Sequence, residues 1–333
     1  MKVCAVIVTY GNRFNLLEKV IETSIREGVD KIIIVSNNSK SKEKLLKLEE
    51  SFSSKIKVLY FKENLGSAGG FKKGMELAYK DNDCEFIWLL DDDNEPQKGS
   101  LRFLKEFWKS LEEKNKDECV ALLSYRPDRP FYKESVITEN SNILLGRRNS
   151  FLGFHILDIP RKIIRAIKRK LGFDVYKEKE KVKIGKIPVA PYGGFFFNKK
   201  LLKKIGYPRE DFFVYADDHE WTYRIIKNGG SIYLVFDSII VDLDKSWNFV
   251  KKGTVFSTIA KASTFRVYYS TRNRVVFELE NLVDNKIIYY INIIVFGLIL
   301  RFFANRKIYK VFKAAISDAK NGVMGKNYED TYL

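Results

Sequence analysis

Through the first ninety residues, β-branched apolar runs alternate with stretches whose apolar residues recur at helical spacing, and each run ends on polar side chains. Residues 3–9 read as a buried parallel strand ending on Thr9 and Tyr10. Phe14, Leu17, Val20, Ile21 and Ile25 then mark one face of a helix that Gly28 closes. Residues 31–35 form a second strand that ends on Ser36, Asn37, Asn38 and Ser39, and a lysine-rich helix follows over 42–50. A third strand passes through Val58, Leu59 and Tyr60, and residues 64–70 form a glycine-bearing loop before a helix through Met75, Leu77 and Ala78. The fourth strand, 86–90, runs directly into Asp91, Asp92 and Asp93. This alternation specifies an α/β fold on a doubly wound, mostly parallel sheet. Ligands of such sheets bind beyond the carboxyl ends of the strands, where all these polar groups fall. One shared ligand site is expected.

The remainder is less regular. A helix is expected near 98–106, a long loop or insertion over 126–149, and a basic amphipathic helix over 159–172. Order returns at 187–197, where Gly193 and Gly194 indicate a close backbone approach. A helix through Leu201, Leu202 and Ile205 leads to Asp217, Asp218, His219 and Glu220, then to a helix over 221–227 and a strand over 231–241. From about Ser246 the chain turns helical. The apolar stretch 287–300, broken by Asn292 and Gly297 and closed by Arg301, falls short of the ~20 residues of a membrane span and is expected as a buried or interfacial helix. Two domains follow: residues 1–245, which bind ligand and carry the chemistry, and a helical, membrane-associated region over 246–333.

Three consecutive carboxylates repel one another unless a cation sits among them. In extended chain Asp91 and Asp93 point the same way and can share a ligand, while Asp92 points elsewhere. Oxygen donors alone suit Mg2+ or Mn2+ bridging phosphates. The plain alternative is an acidic turn capping the next helix. Asp218, in the second acidic group, is a candidate base for drawing a proton from a hydroxyl nucleophile, with Asp217 and Glu220 beside it. An acidic first turn of a helix is the competing explanation there. Cys4, Cys84 and Cys119 lack CxxC spacing, and His155 and His219 are the only histidines, so a zinc site is not expected and the thiols read as buried and reduced. The first apolar run is too short for the core of a signal peptide.

In chain order, VIVTYGNR, IVSNNS, ENLGSAGGF, WLLDDDNEP, GGFFF and FFVYADDHEW resemble the motifs of the inverting family-two glycosyltransferases of the GT-A fold, over residues 1–245. YYSTRNR and DAKNGVMGK look like tails of its polysaccharide-synthesising branch. The DDD triplet with the GGF loop is closer to galactofuranosyltransferases than to rhamnosyltransferases. The resemblance implies a Rossmann-like GT-A domain with a C-terminal helical extension. It puts Thr9 and Tyr10 on the base and ribose, Asn37 and Asn38 on the base, and Asn64, Gly69, Gly70 and Asp92 along the sugar and diphosphate. It further puts Asp91 and Asp93 on a divalent metal, makes Asp218 the base, and sets Asp217, Glu220 and Trp221 at the acceptor. Related enzymes have a metal-binding histidine after the last strand; residues 241–247 contain none, and Asp242 is expected in its place.

The activity so implied is metal-dependent, inverting transfer of a hexosyl unit to a cell-surface or lipid-linked glycan. UDP-galactofuranose is the favoured donor and dTDP-rhamnose the alternative. The net charge of +17 requires anionic partners. With the basic helix it suggests a cytoplasmic enzyme lying on the inner face of the cell membrane. A sugar nucleotidyltransferase would carry a glycine-rich basic loop after the first strand, for which YGNR is a poor version. A nucleic-acid-binding protein would share the charge, but no helix-turn-helix, zinc or RNA-binding signature accompanies it, and no nucleic-acid partner is expected.

Overall fold

In a computed structural model that describes residues 1–160, 164, 182–244 and 254–328, the first apolar run is strand β1 (Val3–Gly11). It is followed by α1 (Phe14–Arg26), β2 (Lys31–Ser39), α2 (Lys42–Ser51), β3 (Ile56–Phe61), α3 (Gly66–Lys80) and β4 (Phe86–Asp91). These four strands are parallel in the order β3-β2-β1-β4. Val8 pairs with both Val35 and Asp91, so the polar strand ends emerge side by side. The apolar residues of β1 and β2 are buried on both faces, which is what continuous β-branched runs require.

The chain continues through β5 (Asn94–Pro96), α4 (Ser100–Ser110), α5 (Lys116–Cys119), β6 (Val120–Tyr125), α6 (Pro130–Ile137) and α7 (Asn142–Leu145). Next come β7 (Ile184–Ile187), β8 (Phe195–Asn198), α8 (Leu201–Ile205), α9 (Asp217–Lys227) and β9 (Ser231–Asp242). Antiparallel β8 joins β4 to β6, β9 runs parallel to β6, and β5 and β7 pair with β9, giving a nine-stranded sheet. The architecture is a mixed α/β fold with a helical C-terminal region. β5 and β7 are too short for a periodic signal. Residues 126–149, expected as a loop, include α6 and α7.

Residues 64–70, also expected as a loop, are helical from Gly66 onward. Glycine is a poor helix former, but packing outweighs that here. A Cβ on Gly70 would lie 2.8 Å from Val8 Cγ1, and one on Gly74 would lie 2.3 Å from Val6 Cγ1. The missing side chains let α3 lie tightly on β1.

By internal contacts the chain divides into Met1–Val136 with Lys183–Asn248, which holds the sheet, and Ile137–Val182 with Phe249–Leu333. The second unit includes α7 and then α10 (Val255–Lys261), α11 (Thr264–Asn281), α12 (Lys286–Phe303) and α13 (Arg306–Lys320). The side chains of Ser263, Asn285 and Asn305 cap the last three. Phe151 packs edge-on against Tyr289, Phe296 and Phe312 to form its aromatic core. Glu278, fully buried, accepts from Arg274 Nε at 2.8 Å and Tyr289 Oη at 3.0 Å. Most of the basic segment 159–172, and Lys245, Ser246 and Trp247, lie outside the described residues.

Candidate functional site

The parallel pairing of β1 with β4 sets Thr9 beside the aspartates. Thr9 Oγ1 donates to Asp92 Oδ2 at 2.7 Å. Arg13, just past β1, donates from Nε to Asp92 Oδ1 at 2.8 Å, from Nη2 to Asp93 Oδ2 at 3.0 Å and from Nη1 to Asp244 Oδ2 at 2.8 Å. Arg126, at the exit of β6, donates to Asp242 Oδ2 and lies 3.7 Å from Asp91 Oδ2. Asn94 Nδ2 bridges Asp93 at 3.2 Å and Asp242 at 2.9 Å. Five carboxylates therefore surround two guanidinium groups. Burial pushes the carboxyl of Asp92 up to about 6. Burial, with repulsion from Asp91 and Asp242, pushes that of Asp93 up to about 7.

Asp91 differs from the others. Its carboxylate makes no direct hydrogen bond among the described residues, and 41% of its side chain is open. The strand ends at Asp91 and residues 92 and 93 form a turn, so strand alternation does not set the direction of Asp93, yet its carboxyl lies close enough to Asp91 to be repelled by it. Asp242, expected as a metal ligand, joins the cluster but spends both oxygens on Asn94 and Arg126. Among the described residues no three His, Cys, Asp or Glu side chains are grouped to hold a metal ion. The donor chemistry nevertheless fits a hard cation. Mg2+ and Mn2+ are commonly held through one or two carboxylates plus phosphate oxygens and water, and Asp91 is open in a cluster with surplus negative charge. Gly193 brings backbone against this point, since a Cβ there would lie 2.8 Å from Asp91 Oδ2 and 2.0 Å from Asn94 Oδ1.

At the neighbouring strand end, Asn37 is buried. Its Nδ2 donates to Asn64 Oδ1 at 3.0 Å and to the Gly66 carbonyl at 2.9 Å, while its Oδ1 accepts from Leu65 N at 2.7 Å. Expected on the base, Asn37 instead shapes the entry to α3 together with Asn64. Gly69 and Gly70 are buried, and Gly70 faces Val8 rather than open space. Tyr10 and Asn38 remain open to a ligand; Tyr10 is 41% exposed and lies 5.4 Å from the Arg13 guanidinium.

The second acidic group opens α9. Asp217 is buried and accepts from Ser67 Oγ, in the first turn of α3, at 2.7 Å. Burial and the neighbouring Asp218 push its carboxyl up to about 8. Asp218 is half-buried, and its Oδ1 accepts from His219 N at 2.8 Å. Glu220 and Trp221, expected at the acceptor, are structural. Both Glu220 oxygens hold Arg224, at 2.9 and 2.5 Å. Trp221 is fully buried among Tyr192, Phe195 and Phe197 and donates to the Gly206 carbonyl at 2.9 Å.

The native Asp217 keeps a proton that the unfolded chain releases near pH ~4. Its contribution to stability is therefore fully present below that value and is lost as pH rises through about 8. Asp217→Asn, which still accepts from Ser67, should flatten this decline by up to ~1.4 kcal/mol per pH unit in urea titrations between those limits.

The chain enters α9 through Phe213, Tyr215 and Ala216, at φ 64°, 66° and 59°. Each left-handed residue costs about 1–2 kcal/mol, so the surroundings must hold the loop. The Phe213 carbonyl accepts from Ala68 N at 3.2 Å, and a Cβ on Gly66, itself at φ +71°, would lie 1.9 Å from that oxygen. Gly66→Ala should lower unfolding stability by more than ~2 kcal/mol and displace the loop that leads into Asp218.

Residues 4–206 match the family described as Glycosyl transferase family 2. Among solved structures the chain is similar to GalNAc-T7 with UDP, GalNAc and Mn2+, at 14% identity and TM-score 0.54, covering 83% of this chain and 48% of that one. It is also similar to S. aureus TarS, at 12% identity and TM-score 0.46, covering 97% of this chain and 54% of that one. The chain thus spans about half the length of either structure. No curated protein matches the sequence significantly.

Proposed function

Because the chain belongs to glycosyl transferase family 2, we propose that it moves a hexosyl unit from a nucleotide-sugar to a glycan acceptor with inversion at the anomeric carbon. The observation carrying this reading is Asp91: an open carboxylate at the end of a parallel strand, in a buried cluster with more negative than positive charge. A divalent cation held there would offset charge on the departing diphosphate. Tyr10 and Asn38 offer the exposed surface for base and ribose. Asp218 takes the proton of the acceptor hydroxyl as it attacks. Asp217, uncharged at neutral pH, spares Asp218 a like charge beside it. GalNAc-T7, which shares the fold, was crystallised with UDP, GalNAc and Mn2+, in support of the same ligand classes. The donor we favour is UDP-galactofuranose, on the DDD and GGF motifs, and the acceptor a lipid-linked glycan at the inner face of the membrane.

Thermal unfolding with UDP, dTDP or GDP, each with and without Mn2+, tests the donor half. UDP with Mn2+ should give the largest shift, about 2.7 kcal/mol at a hundredfold over the dissociation constant; a dTDP preference would move the assignment to rhamnosyl transfer. Asp218→Asn should cut turnover by about 10²–10⁴ and leave the UDP shift unchanged. Near-normal turnover in that variant would place the base elsewhere.

A further inference from the structure

Along α12, Ile287, Ile291, Ile294, Leu298 and Phe302 recur every three or four residues and are exposed by 73, 44, 60, 60 and 90%. The helix has a mean hydropathy of 1.8 and the length of a short span, yet its other face is committed to protein. Asn292 Oδ1 accepts from Ile156 N at 2.9 Å and its Nδ2 donates to the Asn149 carbonyl at 2.8 Å. Tyr289 donates to Glu278, which is fully buried and ion-paired with Arg274. A helix crossing hydrocarbon would carry this charged, sequence-distant network in with it, at high cost. One protein-bound face and one open apolar face instead describe a helix that lies in an interface.

The chemistry beside that face indicates what covers it. A groove of about 440 Å³ between α12 and α13 is lined by Ile294, Leu298, Tyr309, Phe312, Lys313 and Lys320 among others. Its floor is apolar and its rim cationic: Lys320 Nζ lies 4.6 Å from the Tyr290 ring and the Arg301 guanidinium 5.6 Å from the Tyr309 ring. The first turn of α13 adds Arg306 and Lys307. Acyl chains beside anionic phosphates complement this pattern, whereas a purely apolar protein partner would leave the cations unpaired.

We infer that α12 and α13 seat the chain on the surface of an anionic phospholipid bilayer, with Ile287, Ile291, Ile294, Leu298 and Phe302 entering the acyl boundary and Lys313 and Lys320 meeting headgroup phosphates. This deepens the membrane location proposed above. Its test uses neither donor nor acceptor, so its failure leaves the transfer reading standing. The full chain would be sedimented with vesicles of phosphatidylcholine alone or with about one-third phosphatidylglycerol. Partitioning onto the anionic vesicles should exceed that onto neutral ones by about tenfold or more at low salt. Leu298→Asp with Phe302→Asp, both at exposed positions and checked by circular dichroism, should lower it by about tenfold or more. Lys313→Glu with Lys320→Glu should bring anionic binding down toward the neutral level. Three results would each overturn the proposal: unchanged partitioning of the aspartate pair; resistance of the wild-type chain to alkaline carbonate extraction, which marks a span; or a dimer in light scattering that the aspartate pair converts to monomer, which gives the face to a second copy.

Discussion

Asp91→Asn should lower kcat/KM by about a thousandfold or more while the protein stays folded. The two halves of that expectation have separate causes. The Asp91 carboxylate makes no direct hydrogen bond among the described residues and its ion pair with Arg126 is long, at 3.7 Å, so the substitution gives up little structural contact while it removes a charge that repels Asp92, Asp93 and Asp242. Thermal stability should hold or rise. On the proposed reading the activity loss follows because Asp91 is the open carboxylate of the cluster, and a divalent cation would lose its anchor with it. The Mn2+-dependent part of the UDP shift should vanish with it. Steady-state kinetics and thermal unfolding on one preparation check both halves; a variant that unfolds and loses activity in parallel would make Asp91 structural.

Arg126→Met should do the reverse, destabilising the fold by about 3–5 kcal/mol. Arg126 is buried with Asp242, and Asp91 stands close by. Methionine keeps much of the volume but leaves Asp242 charged and uncompensated. Losing that cation raises the folded-state pKa of the carboxylates around it further, so the native state holds extra protons. The sign is then fixed: the loss is greatest near neutrality and shrinks as pH falls toward the ordinary carboxylate range. Adding Asp242→Asn to Arg126→Met should recover most of the loss in guanidinium titrations, because the two residues act as one unit. Without recovery, Arg126 would be stabilising something other than this pair.

The parallel half of the sheet was legible because its strands are unbroken apolar runs, each closed by a helix signal. The positions of Asp91 at a strand exit and of Asp218 at a helix entry were legible because an apolar run and a helical pattern adjoin them. The arginines were not: Arg13 lies 79 residues from Asp92, and Arg126 lies 116 residues from Asp242, so no local pattern joins them. Arg13 did leave a trace, standing two residues past β1, whereas Arg126 followed a strand that had not been recognised. The burial of Glu220 and Trp221 could have been read from helical spacing: Asp217, Glu220 and Trp221 stand at i, i+3 and i+4 on the buried side, while Asp218 is less buried. The protein partners of Asn37 were not legible because a buried amide and an exposed one read alike in sequence.

The bond from Ser67 to Asp217, with the Phe213 carbonyl seated over Gly66, makes the start of α3 and the start of α9 one mechanical part. Anyone re-engineering the chain for a new acceptor would naturally diversify residues 210–216, on the assumption that acceptor and donor preferences are separable modules. The bond and the close approach tie the two segments together. Such a library would strain the first turn of α3 at the same time, and its folded members should be those that leave Gly66 and Ser67 untouched.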